Sequence, residues 1–197
     1  MIPYEFSAER FSRWMSYVLR HNPERYGLQP DRYGYVNLEE FLHIAVRRYP
    51  DLGPDRLRAL IEVSGASRFE IAGGQVRARY GHSILVEPVG PPVEPTACLY
   101  YGTDAASADT ILADGLKPAD RCNLHLSTTR EEALTIAQRK TANPVVFRIL
   151  AQEAFHQGVV FFRESELFLT THVPAPFLAR EPLPASAGGA AAPRASA

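Results

Sequence analysis

Cysteine is nearly absent from the chain: Cys98 and Cys122 are the only two in 197 residues. Two thiols can form neither a disulfide framework nor a four-cysteine zinc site, so a reducing cytoplasm is the expected setting. Neither sign of charge is in excess. The chain has 21 basic and 22 acidic residues for a net charge of −1, which excludes a basic nucleic-acid coat and a polyacidic tail protein. No apolar run approaches the ~18 residues of a membrane span. The N-terminal Met1-Ile2-Pro3-Tyr4-Glu5 has no basic segment leading into an apolar one, so no signal peptide is expected. The chain has no glycine-rich phosphate loop of the dinucleotide or P-loop kind. No histidine, cysteine or carboxylate spacing matches a metal site, and no metal is expected. Lysine is scarce as well. Only Lys117 and Lys140 are lysines among the 21 basic residues, so 19 are arginines, the side chain suited to bidentate phosphate recognition.

The hydrophobic share is 46%, enough for a real core, and the length allows one large domain or two small ones. Ser7 to Leu19 reads as an amphipathic helix capped by Ser7, with Phe11, Trp14, Met15, Val18 and Leu19 on one face. It ends at Arg20-His21-Asn22-Pro23, because the residue before proline avoids helical geometry. Tyr35-Val36 reads as a short strand, Asn37 caps a helix from Leu38 to Tyr49, and Pro54 starts a third that runs to Ser64. Arg68–Ile71 and Gln75–Tyr80 flank Gly73-Gly74, the signature of a hairpin. Helices followed by a hairpin suggest a winged-helix-like lobe over residues 1–87. Four prolines and a glycine between Glu87 and Pro95 mark a stiff linker, set at 88–95. Beyond it, strands are expected at Cys98–Thr103, Leu124–Ser127, Pro144–Leu150, Val159–Phe162 and Leu167–Thr170. Helices are expected at Ser107–Asp114 and Arg130–Arg139. Residues 96–180 therefore form a second lobe around a mostly antiparallel sheet, and the fold class is α+β. Residues 181–197, rich in Ala, Gly, Pro and Ser, are expected to be a disordered tail.

Arg20 and His21 close the first helix, where the helix dipole alone favours cations. They also supply a phosphate clamp and a titratable imidazole. Arg77 and Arg79 fall on one face of a strand and repel each other unless they share an anion. Gly81 allows close backbone approach, and His82 and Ser83 add short donors, so the segment reads as an oxyanion site.

Taken in order, Ser16-Tyr17-Val18-Leu19-Arg20-His21-Asn22-Pro23, Gly34-Tyr35-Val36, Arg68-Phe69-Glu70-Ile71, Arg77-Ala78-Arg79-Tyr80-Gly81-His82-Ser83, Leu99-Tyr100-Tyr101-Gly102-Thr103, His125-Leu126-Ser127-Thr128 and Pro144-Val145-Val146 resemble the RNA 2′-phosphotransferase family. The resemblance spans about residues 10–178. It implies a winged-helix-like lobe, an ADP-ribosyltransferase-like lobe and a site between them. It also implies NAD as co-substrate and an RNA with an internal 2′-phosphate as partner. The RNA phosphate is passed to NAD, giving 2′-hydroxyl RNA, nicotinamide and ADP-ribose 1″,2″-cyclic phosphate. The family's arginine-histidine-arginine-arginine catalytic set falls on Arg20, His21, Arg77 and Arg139. Arg79, His82 and Ser83 fall on the phosphate side, and Tyr101, Gly102, Thr103, His125 and Ser127 on the NAD side. Tyr101 stands where the family usually has histidine. A monomer without membrane association is expected. Two other readings fit the same lobes: an ADP-ribosyltransferase acting on nucleic-acid phosphate ends, and a non-enzymatic winged-helix nucleic-acid binder.

Overall fold

The computed structural model describes residues 6–65 and 68–182. The described residues form two lobes, each with its own antiparallel sheet.

In the first lobe, Ser7 caps helix α1 (Ala8–His21) by accepting a hydrogen bond from the Arg10 amide. Asn37 does the same for α2 (Leu38–Arg48) through the Glu40 amide. Helix α3 spans Pro54–Gly65. Strands β1 (Val36–Asn37), β2 (Phe69–Ala72) and β3 (Gln75–Ala78) pair in the order β1-β3-β2. Gly73 and Gly74 turn the hairpin with φ of 55° and 76°, the left-handed pair that a two-residue turn demands. Phe11, Met15, Val18 and Leu19 of α1 meet Phe41, Leu42 and Ala45 of α2 and Leu57 and Ile61 of α3. Val76 and Ala78 of β3 close this core from below.

Strands β4 (Leu99–Asp104), β5 (Leu124–Ser127), β6 (Pro144–Ile149), β7 (Phe162–Glu164), β8 (Leu167–Thr170) and β9 (Leu178–Glu181) make the second sheet, in the order β7-β8-β5-β4-β6-β9. Helix α4 (Ala108–Asp114) ends at Gly115. Helices α5 (Arg130–Gln138) and α6 (Ala151–His156) complete the lobe. The mixed α+β class with antiparallel sheets is as expected.

Two local expectations are corrected, and one unassigned stretch gains a helix. The strand expected at Val159–Phe162 begins only at Phe162. The Val159 amide instead bonds to Ala154 at the end of α6, and the Phe161 carbonyl accepts from the linker residue Val93. Helix α6 occupies a stretch that had no assignment. Residues 178–181 form an edge strand against β6, so Glu181 belongs to the sheet and not to a tail. Residues 183–197, the rest of the expected tail, lie outside the described residues. Among the described residues, no helix is long and apolar enough to cross a membrane.

Candidate active site

The C-terminus of α1 and the segment after β3 meet at one point. The Ser83 amide donates to the Arg20 carbonyl at 3.0 Å, and His21 Nδ1 lies 2.8 Å from Ser83 Oγ. The Arg20 guanidinium stacks over the rings of Tyr80 and Phe69, 5.1 and 5.8 Å from their centroids. Its Nε and Nη2 are buried and have no hydrogen-bond partner among the described residues. Burial lowers its pKa, and Arg121 and Arg68 push the same way. A half-buried guanidinium with unused donors is suited to clamp an anion. Burial, then Arg20 and Arg121, also lower the pKa of His21, which favours the neutral imidazole at neutral pH. Gly81 is required here. Its φ is 88°, and a Cβ at this position would sit 3.2 Å from Arg20 Nη1.

The second lobe closes over this point. The Cys122 amide donates to the His82 carbonyl at 3.1 Å, and the Cys122 thiol donates to the Ile84 carbonyl at 2.9 Å. The His125 ring packs edge-on against Tyr80 at 5.8 Å. Burial first, and then Arg121, Arg20 and His82, push His125 down to about 3. Burial, with Arg20, Arg77 and His21, pushes His82 to about 4.

Arg77 and Arg79 do share an anion, and the protein supplies it. Arg77 is 3% exposed. Its Nε donates to Glu70 at 2.8 Å, its Nη2 forms an ion pair with the same carboxylate at 2.7 Å, and Nη2 also donates to both Glu164 oxygens at 3.0–3.1 Å. Arg79 Nη1 lies 3.1 Å from Glu164 and 3.5 Å from Glu70. The Tyr35 hydroxyl donates to Glu70 at 3.0 Å. Burial raises the Glu70 pKa, but the Arg77 hydrogen bond and charge outweigh it and hold the carboxyl below its ordinary value. Arg77 is likewise raised, its two carboxylates offsetting burial. Arg77 is thus sealed into an ion cluster that bridges the lobes, whereas Arg79, a quarter exposed, joins it through Nη1 and keeps a buried Nε with no hydrogen-bond partner among the described residues.

The remaining expected residues are dispersed. Gly102 faces α5: a Cβ there would lie 2.0 Å from the Ala133 carbonyl oxygen, so glycine serves helix packing. Thr103 reaches only its neighbour Asp104, and Ser127 is buried. The pairing of Tyr100 with Ser127 puts His125 and Ser127 on one face of the sheet. Tyr101 faces the other side and packs against the second core. Arg139 caps α5 at the surface, and among the described residues its side chain makes no hydrogen bond or ion pair. Arg121, absent from the sequence-derived set, is exposed before β5. Its charge acts on Arg20, His21, Tyr101 and His125 alike. Its position four residues before His125 was the available signal.

The family model for RNA 2′-phosphotransferase, the Tpt1 / KptA family, matches residues 7–172. A probable RNA 2′-phosphotransferase 1 of Archaeoglobus fulgidus is 35% identical over 182 residues, covering 92% of this chain and 84% of the relative. Probable RNA 2′-phosphotransferases of Lacticaseibacillus paracasei and Thermococcus kodakarensis are 35% and 38% identical. They cover 86% and 79% of this chain, and 91% and 86% of their own lengths.

Proposed function

The chain belongs to the RNA 2′-phosphotransferase family, and from that membership we propose that it removes an internal 2′-phosphate from RNA by passing it to NAD. The first lobe serves as the winged-helix-like half and the second as the ADP-ribosyltransferase-like half. NAD supplies the acceptor, and the products are 2′-hydroxyl RNA, nicotinamide and ADP-ribose 1″,2″-cyclic phosphate.

The observation that carries this reading is the Arg20 guanidinium, with two buried, unpartnered nitrogens beside the hydrogen-bonded His21–Ser83 pair. Arg20 orients the RNA phosphate through two parallel donors while Tyr80 and Phe69 fix its plane. Arg121 supplies a second cation whose charge acts on Arg20, His21 and His125, and we assign it, in place of Arg139, as the fourth member of the set. Two guanidiniums can spread the charge that phosphoryl transfer develops. Neutral His21 takes or holds a proton at the nitrogen that Ser83 leaves free. Arg77 is a positioning residue, since its donors are committed to Glu70 and Glu164.

The residues fit a dinucleotide co-substrate at the cleft. Arg121 and Lys140 bias the surroundings of His125 toward anions, and the uncharged imidazole can hydrogen-bond to a ribose hydroxyl.

The test is a short RNA bearing one internal 2′-phosphate, incubated with and without NAD. The phosphate is lost only with NAD, and its persistence overturns the reading. Arg20→Ala lowers turnover by at least ~100-fold, as expected for a lost charge-stabilising donor. Arg121→Ala costs far more than Arg139→Ala, and the reverse order would restore Arg139 to the set.

A further inference from the structure

The geometry points to a nucleobase subsite beside the His21–Ser83 pair, a groove that takes the base flanking the 2′-phosphorylated nucleotide; this rests on the RNA reading above. The groove holds about 620 Å³ and is lined by Pro23, Leu28, Pro30, Ile84 and Leu85, with Glu24 and Asp31 at its polar edge. That volume lies within the ~300–1,000 Å³ of small-ligand sites.

Chain connectivity places the groove. Pro23 follows His21 by two residues, and Ile84 and Leu85 directly follow Ser83, so the wall begins where the phosphate site ends. Leu85 is 90% exposed. A lone exposed leucine carries no meaning. This one stands with a second aliphatic side chain and two prolines around a single recess, a surface on which a flat base can lie.

Charge selects the occupant. The charged side chains lining the groove are the carboxylates of Glu24 and Asp31, whereas the guanidiniums of the phosphate site, Arg20 and Arg121, lie outside it. A phosphate is repelled from the groove and drawn to the arginines. A neutral base with exocyclic amino groups finds apolar walls and carboxylate acceptors. Asp31 Oδ1 is committed to the Tyr33 and Tyr35 amides at 2.9 and 2.8 Å, which fixes the carboxylate, while Oδ2 accepts no hydrogen bond among the described residues.

The walls are preformed. The Ile84 carbonyl accepts from Cys122, the Ser83 amide is tied to Arg20, and the Glu87 amide is tied to the Arg32 carbonyl at 2.8 Å. On the other side the Leu28 amide bonds to the Pro23 carbonyl at 3.1 Å, across the turn at Gly27. A rigid groove binds without an ordering cost.

Leu85→Ser tests this without threatening the fold, because the side chain is almost wholly in solvent. KM and Kd are measured on a 2′-phosphorylated oligonucleotide and on the same oligonucleotide with abasic flanking nucleotides, Kd by fluorescence anisotropy. The variant raises KM and Kd on intact RNA by about fivefold or more, the scale of one lost base contact. On abasic RNA, variant and wild type agree. Equal behaviour on intact RNA, or equal impairment on both RNAs, overturns the subsite. If the wild type turns over neither RNA, the phosphotransferase reading fails. The Kd comparison still decides the groove, which stands if Leu85→Ser weakens binding of intact RNA alone and falls if it does not.

Discussion

His82 and His125 are two imidazoles held uncharged by burial among arginines, and this gives the fold an acid-sensitive point. The folded values, about 4 and about 3, lie below the ordinary 6.5. Below about pH 6.5 the unfolded chain therefore binds more protons than the folded one, and stability falls until the pH passes the folded values. For the almost fully buried His82 this amounts to roughly 3 kcal/mol by pH 4. Urea unfolding between about pH 7 and 4.5 should show this loss, and His82→Gln should flatten it. A parallel slope in the variant would show that other groups dominate. The residue scale is also where the sequence was least informative. Arg20, His21 and Ser83 were legible because two short segments carry them. Arg121 was not, because what identifies it is proximity in space to His21 and His125, imidazoles that belong to two separate segments.

At the scale of elements, local chemistry predicted well. Ser7 and Asn37 cap the helices they were expected to cap, and Gly73-Gly74 turn the hairpin. What escaped was structure held by tertiary contact. Helix α6 is six residues long without a side-chain cap, and β9 exists because the edge of β6 offers it a ladder. Gly102 was placed on the NAD side by the family resemblance, and the structure sets the backbone of α5 beside it. Gly102→Ala forces α5 off β4 and should destabilise the second lobe by about 2–4 kcal/mol, read as a shift in urea midpoint. Adding Ala137→Gly should recover only part of this loss, because the closer obstacle is the Ala133 carbonyl. Full recovery would assign the clash to the Ala137 side chain.

For the whole molecule, the Glu70–Arg77–Arg79–Glu164 cluster joins the lobes through buried charge. The sequence suggested that the two arginines need a shared anion. It gave no sign that Glu164 supplies one, since 87 residues separate it from Arg77. Removing one partner leaves the others buried and uncompensated, so Glu164→Ala should cost about 3–5 kcal/mol. Arg77→Ala should lower the melting temperature as well as turnover, whereas Arg20→Ala should affect turnover with little change in melting. Unchanged melting in Arg77→Ala would return that residue to direct contact with substrate.

The same separation along the chain sets a clock during synthesis. At ~5–20 residues per second, a ribosome needs roughly 4–17 s to travel from Arg77 to Glu164. The first lobe can assemble in that interval with Glu70 as its only internal counter-charge to the two arginines. For those seconds the nascent chain carries an anion trap that the finished protein closes with its own carboxylate.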